Sequence, residues 1–209
     1  MKAIITGYSS GIGKAICEQI ENKYEIIKLK SRLEDTDFLE KEIKQILKTT
    51  DIDLLVNCAG FGVFEPHEEL NIKQIKSLID INLTAPIILT NLVLRSLKKT
   101  KGHIINISSI EATKHSKFSA LYTASKSGLR DFSLSLFEEV RKSEVKVCSI
   151  NPEITKTSFF DELKFEPSDK QGRYLDAVDI AKSVQYILDS NGAITDLTIR
   201  PNKFEIKKK

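Results

Sequence analysis

Apolar residues in this chain fall into two alternating patterns. Short, largely apolar runs, as in Asp53–Val56, His103–Ile107 and Val145–Ile150, have the length of buried strands, whereas the stretches between them repeat their apolar positions every three to four residues, as helices do. The pattern predicts strands at 2–6, 24–30, 53–56, 103–107, 145–150 and 197–199. It predicts helices at 11–23, where Ile12, Ala15, Ile16, Gln19 and Ile20 share the helical spacing, and at 37–48, with Phe38, Leu39, Ile43, Ile46 and Leu47 inward. Further helices are expected at 72–99, interrupted at Pro86, at 122–142 and at 176–188. Strands joined by helical crossovers make a mainly parallel sheet covered on both faces, so the expected class is α/β, a doubly wound parallel sheet. No internal repeat, low-complexity tract or Gly/Pro/Ser-rich linker divides the chain, and 1–209 is expected to form a single domain. Ligands in such sheets sit at the carboxyl ends of the strands.

Composition narrows the picture. With 209 residues, 41% apolar and 29% charged, the chain suits one core-forming domain and excludes disorder, collagen-like repeats and disulfide-stapled mini-scaffolds. No apolar run approaches the roughly 18 residues of a membrane span; even Ala85–Leu94 is broken by Pro86, Thr90 and Asn91, so no membrane partner is expected. Ala3–Ile5 is too short for a signal-peptide core. Cys17, Cys58 and Cys148 are odd in number and lack CxxC spacing, which argues against a disulfide framework or a zinc site and for a cytoplasmic location. The scattered His67, His103 and His115 form no metal-ligand pattern, so no metal is expected. Lys and Arg number 32 against 29 Asp and Glu, and the excess of +3 is accounted for by Lys207–Lys209 alone. The body therefore has no basic face for nucleic acid, and the basic tail, 203–209, reads as a solvated, frayed end.

Chemistry first shows in Thr6-Gly7-Tyr8-Ser9-Ser10-Gly11-Ile12-Gly13, where the first strand becomes the first helix. Glycines there let the backbone turn tightly and approach a pyrophosphate, and the helix start offers free N–H groups. The turn is thus a candidate nucleotide-phosphate cradle, with a tight turn that binds nothing as the plainer alternative. At the end of the second strand, where a dinucleotide-binding fold commonly places a carboxylate on the adenosine ribose, the chain has Lys30-Ser31-Arg32. A guanidinium suits phosphate, which favours NADP(H) over NAD(H); Arg32 facing solvent is the alternative, and Glu34 and Asp35 follow closely.

Tyr122 and Lys126 stand one helical turn apart on a common face. A free tyrosine, with a pKa of about 10, is a poor proton-transfer group at neutrality, and an adjacent ammonium lowers that value. Pairs at this spacing are also common surface contacts. Ser109 closes the strand His103–Ser109 at its carboxyl end, where its hydroxyl can hydrogen-bond a carbonyl oxygen that is gaining charge. Pro86, lacking an N–H and clashing with the carbonyl four residues earlier, frees the Asn82 carbonyl.

Thr6-Gly7-x-x-x-Gly11-x-Gly13, Asn57-Cys58-Ala59-Gly60, Asn82, Ser109 thirteen residues before Tyr122, Lys126 and Pro152, in this order between Ala3 and Pro201, resemble the short-chain dehydrogenase/reductase family. The resemblance implies a Rossmann-like fold and an oxidoreductase that interconverts a carbonyl and a secondary alcohol by hydride transfer. Its catalytic set would be Asn82, Ser109, Tyr122 and Lys126. Tyr122 would act as general acid/base, Ser109 would bind the substrate oxygen, Lys126 would lower the Tyr122 pKa and hold the nicotinamide ribose, and Asn82 would hold a relay water. The cofactor would lie on Gly7, Ser9, Ser10, Gly11, Ile12 and Gly13, on Ser31 and Arg32, on Asn57, Ala59 and Gly60, on Tyr122 and Lys126, and on Pro152, Thr155 and Thr157. Substrate would meet Ser109, Tyr122 and Glu153. Relatives commonly pair through helices corresponding to 72–99 and 122–142, so a homodimer is expected ahead of a tetramer. A catalytically idle NADP-binding sensor is the alternative, and the filled catalytic positions weigh against it.

Several positions depart from the family pattern. Cys58 replaces a second Asn, and Glu153 replaces a glycine, where it would either disfavour anionic substrate groups or point away from the pocket. Only one helix fits between Arg32 and Asp53, so the third strand and its adenine-contacting Asp are expected to be trimmed or lost. The substrate lid, 158–175, is short; of Phe159, Phe160 and Phe165, at least two are expected to pack on the core rather than line a pocket.

Overall fold

In the computed structural model, which describes residues 1–209, the chain runs through β1 (Lys2–Ile5), α1 (Gly11–Ile20), β2 (Glu25–Ile27), α2 (Thr36–Ile46), β3 (Leu54–Asn57), α3 (Ile72–Ile79), α4 (Ala85–Thr100), β4 (His103–Ile107), α5 (Ala120–Val140) and β5 (Lys146–Pro152). The short strands β6 (Thr155–Lys156), β7 (Phe165–Pro167) and β8 (Leu175–Asp176) follow, then α6 (Ala177–Asp189), β9 (Asp196–Ile199) and β10 (Ile206–Lys208). The main sheet has the order β2-β1-β3-β4-β5-β9, with every pairing parallel.

Alternation along each strand feeds two cores. In β1, Ala3 and Ile5 pack with Ile16 and Ile20 of α1 and with Ile180 and Val184 of α6 on one face of the sheet. Ile4, between them, packs on the other face with Leu39 and Ile43 of α2, Leu89, Val93 and Leu97 of α4, and Leu136 and Val140 of α5. Burial of these side chains on both faces is why the strands read as continuous apolar runs rather than as an alternating pattern. The doubly wound sheet expected from the sequence is therefore present. The β2 strand forms its edge, with α2 alone between β2 and β3, so the third strand is absent as anticipated.

The interruption at Pro86 takes the form of a widened turn. Residues Asp80–Thr84 are wound as a π-helix, in which the Ala85 N–H donates to the Asp80 carbonyl five residues back, and α3 and α4 otherwise continue through it. Proline cannot donate to a carbonyl four residues back, and a π turn accommodates the missing bond. Asn82 lies within this turn and is fully buried. The whole stretch Ile72–Thr100 is long and apolar enough to cross a bilayer, which a search for unbroken apolar runs overlooks. In the fold, its residues Leu89, Val93 and Leu97 are fully buried against the sheet.

The C-terminus corrects the expectation of a frayed end. Its residues are exposed, yet β10 pairs antiparallel with β7, placing Ile206 opposite Pro167 and Lys208 opposite Phe165. Lys207 bridges Glu166 at 2.8 Å and Asp169 at 2.6 Å, and the Lys209 backbone N–H donates to the Lys164 carbonyl at 3.1 Å. The tail thus clasps the segment 158–175. Because it contributes no residue to either core, truncation after Asn202 is expected to shift the melting temperature little while accelerating proteolysis within 158–175 several-fold, as read by limited digestion and mass mapping. Unchanged cleavage there would show that β10 does not hold this segment.

Candidate active site

The glycine turn has the geometry of an anion cradle. Gly7 (φ +68°) and Gly11 (φ +50°) occupy the left-handed region that side chains disfavour. At Gly13 an added Cβ would stand 2.2 Å from the Gly7 carbonyl oxygen, so only glycine lets α1 start this close to β1. No side chain caps α1 and no acidic residue occupies its first turn, which leaves its leading N–H groups and partial positive charge facing outward. Ser9 and Ser10 are exposed beside it. These features fit a dinucleotide pyrophosphate. The Thr6 hydroxyl fixes the turn to β3 by accepting from the backbone N–H groups of Cys58 and Ala59 at 2.9 and 3.0 Å.

Next to this cradle opens a cavity of about 720 Å³ whose lining includes Ile12, Gly60, Ser109, Tyr122, Lys126 and Thr157. Residues from the first helix, the β3 loop, the end of β4, α5 and the segment after β5 therefore meet at one concavity, at the carboxyl ends of the strands. Asn82 lies behind it. Its side chain donates to the Phe61 carbonyl at 2.9 Å and accepts from the Phe61 N–H at 3.1 Å, pinning the loop after β3, and it donates to the Ser125 hydroxyl at 3.2 Å. A Cβ on Gly60 would stand 3.0 Å from the Asn82 Oδ1 and 3.3 Å from the Lys126 Nζ, so this glycine keeps the loop low over both groups.

The phenol and ammonium are both buried, and this overturns the expected direction of the Tyr122 shift. Burial pushes Tyr122 up to about 12; the Ser109 hydroxyl works against that rise and Glu111 adds to it. Lys126 is pushed down to about 8 by the same loss of water, opposed by Cys58. The Lys126 Nζ lies over the ring at 5.9 Å from its centroid and donates to the Ile107 carbonyl at 2.9 Å, so its pull on the Tyr122 proton is smaller than the cost of burial. Desolvation therefore outweighs proximity. The Tyr122 ring is flanked by Phe64 at 5.1 Å and Phe159 at 6.0 Å between centroids.

Other expected site residues are placed differently. The Asn57 side chain turns into the layer under α4, donating to Asn106 Oδ1 at 2.8 Å, and Cys58 and Gly60 line the cavity instead. Glu153 does face the cavity, but its carboxylate accepts from Lys114 at 2.9 Å and from Arg200 at 2.9 Å, so it cannot repel a substrate anion as its charge alone suggested. Pro152, Thr155 and Thr157 also line the cavity, and Thr157 packs against Gly11 at the cradle. At the end of β2, Ser31 is engaged by Glu42, which accepts from the Lys30 and Ser31 N–H groups at 2.8 and 2.9 Å and from the Ser31 hydroxyl at 2.5 Å. Asp35 is spent capping α2 through the Phe38 N–H. Arg32 pairs with neither and borders a shallow surface depression with Lys73 and Lys76 and with the carboxylates of Glu34, Asp35 and Asp80. Of the lid phenylalanines, Phe160 is buried, whereas Phe159 and Phe165 are half-buried; all three reach the cavity wall. Sequence reading missed Phe64, Glu111 and Lys114, which lie outside the recognised motifs.

Residues 19–167 match the family model for short chain dehydrogenases. An uncharacterised oxidoreductase of Staphylococcus saprophyticus is 30% identical, with 95% of this chain and 96% of the relative covered, and one from Staphylococcus epidermidis is equally similar over the same shares. Among solved structures, an alcohol dehydrogenase from the archaeon Thermococcus sibiricus in complex with 5-hydroxy-NADP superposes with a TM-score of 0.87 at 22% identity, over 98% of this chain and 97% of that one. A 4-hydroxyisoleucine dehydrogenase complexed with NADH gives a TM-score of 0.85 at 23% identity, over 96% and 97%. With the parallel sheet, the glycine cradle and the serine, tyrosine and lysine already drawn together at one cavity, the match over most of its length makes this chain a member of the short-chain dehydrogenase/reductase family, an oxidoreductase.

Proposed function

We propose that this enzyme is an NADP(H)-dependent reductase that interconverts a carbonyl and a secondary alcohol, with Tyr122 as the proton donor and acceptor. The reading rests above all on one arrangement: Ser109, Tyr122 and Lys126 share a cavity with Ile12 and Thr157 of the cradle side. A nicotinamide cofactor, when bound, supplies or accepts the hydride. Gly7 to Gly13, Ser9 and Ser10 included, would hold its pyrophosphate, Arg32 the ribose phosphate that distinguishes NADP(H), and Ala59, Gly60, Pro152, Thr155 and Thr157 the nicotinamide half. Glu42 and Asp35 are held on backbone N–H groups, and the Arg32 guanidinium, which is in no ion pair, supports the choice of NADP(H).

The chain's own residues divide the proton work. Buried and protonated throughout the neutral range, Tyr122 holds the proton that a reduced carbonyl oxygen requires. Ser109 donates a hydrogen bond to that oxygen as charge develops. When Tyr122 gives up its proton, the negative charge appears in a desolvated site, and the Lys126 ammonium, which has no carboxylate partner, is the cation that compensates it. Asn82 acts as a positioning residue by fixing Gly60 and the loop over Lys126.

Tyr122→Phe should lower kcat for NADPH-linked carbonyl reduction by about 10²- to 10⁴-fold and leave the NADPH dissociation constant within about twofold; turnover near that of the parent would remove Tyr122 from the chemistry. An idle sensor, by contrast, would bind NADPH and consume none with any carbonyl offered. Arg32→Ala should weaken NADPH about tenfold and NADH hardly at all, with equal losses counting against NADP(H). For pH, the signs follow from the two shifts: Tyr122 stays protonated up to about 12, while Lys126 loses its charge above about 8. Carbonyl reduction should therefore hold level to about pH 8 and fall beyond it, and alcohol oxidation, which needs the phenolate, should climb toward about pH 8 and level off where Lys126 loses the charge that compensates it. Opposite trends would assign the proton to other groups.

A further inference from the structure

The cavity carries more positive charge than proton transfer and cofactor binding require. Six lysines line it, Lys114, Lys117, Lys126, Lys164, Lys208 and Lys209, against the carboxylates of Glu111 and Glu153 alone. That local excess of four is larger than the net charge of the whole chain, +3. Both carboxylates are already engaged: Glu153 by Lys114 and Arg200, and Glu111 by the hydroxyls of Ser116 at 2.8 Å and Ser119 at 3.0 Å. Lys164 is paired with Glu65 at 2.9 Å, and Lys209 is turned onto the backbone, donating to the Asp161 carbonyl at 2.8 Å. Lys117 and Lys208 have no carboxylate within ion-pair distance.

The placement of Lys208 follows from strand geometry. Along the tail, Phe204, Ile206 and Lys208 alternate toward the cavity, while Glu205 bridges Lys170 and Lys207 bridges Glu166 and Asp169 on the outer side. Phe118, Phe204 and Ile206 are large apolar side chains left substantially exposed at this wall (46%, 51% and 43%), and Phe64, Phe159 and Phe165 line the interior near Tyr122. The cavity is thus aromatic around the phenol and cationic along the wall built by the tail and the segment after β4.

We propose that the cavity selects carbonyl compounds carrying an anionic group, a carboxylate or a phosphate ester, at the end of an apolar body. The body lies against Phe64, Phe159 and Phe165, and the anion is bound by Lys117 and Lys208. This assignment rests on the reductase reading above and names its substrate class. It also gives the folded C-terminal strand a part in specificity.

The test uses acetophenone, 4-acetylbenzoate and 4-acetylphenyl phosphate with NADPH on the full chain, comparing the parent with Lys117→Gln/Lys208→Gln. The parent is expected to favour the anionic ketones over acetophenone in kcat/KM by about tenfold or more, with the advantage shrinking as salt is raised. The double variant should raise KM for the anionic ketones about tenfold relative to acetophenone, with kcat moving less than KM. Comparing the two anions tells a carboxylate site from a phosphate site. Calorimetric titration of 4-acetylbenzoate supplies a readout that needs no turnover. If this anion binds the parent and not the double variant while no ketone is reduced, the anion site stands and the reductase reading falls. If all ketones are reduced with no preference for charge, or if the double variant keeps the parent's preference, the anion site is overturned and the reductase stands.

Discussion

A lysine held in the interior with no carboxylate beside it sets the terms for the rest of the site. Removing an ammonium from water is costly, and the chain meets that cost only partly, through the Ile107 carbonyl at the end of β4. The residual strain shows as a proton held less tightly than on a free lysine. Everything adjacent accommodates this group: Gly60 has no side chain where one would meet it, Asn82 holds the loop over it, and the π turn at Asp80–Thr84 contains Asn82. A helix without that extra residue would present a different side chain to the β3 loop. The proline at 86, the wound turn and the buried lysine are therefore one construction.

The same burial changes how Tyr122 and Lys126 are to be understood as a pair. Their spacing on a helix suggests an ammonium that acidifies a phenol, and in water that would hold. In the folded chain the two groups are desolvated together, each is driven toward its neutral form, and the ammonium is held by the Ile107 carbonyl at the end of β4. Such a pair is suited to holding a proton until charge develops nearby, rather than to releasing it beforehand. The aromatic walls from Phe64 and Phe159 maintain that dryness.

Much of this was legible in the sequence. Continuous apolar strands, the glycine turn, Ser109 at a strand end and the missing third strand could all be read because each is a local pattern with one physical cause. What could not be read depended on partners remote along the chain. The charge of Glu153 gives no hint that Lys114 and Arg200 will grip it, and Ser31 gives none that Glu42 will. Asn57 sits in a motif but turns toward Asn106, a contact that only the register of β3 with β4 creates. The tail was misread for another reason: its three terminal lysines suggested solvation, while the alternation of Phe204, Ile206 and Lys208 against Glu205 and Lys207 carried the weaker signal of a strand.

Ending the sheet at β2 shifts a duty from strand to helix. A wider sheet would brace the loop at Lys30–Arg32 from a neighbouring strand; here that loop is tethered by Glu42, two turns into α2, and by the Asp35 cap at the start of that helix. On the proposed placement of the cofactor, grip on the outer half of the dinucleotide is coupled to how well α2 keeps its first turns wound. Substitutions that fray α2, though remote from the phenol and the lysine, would be felt as looser nucleotide retention rather than as slower chemistry.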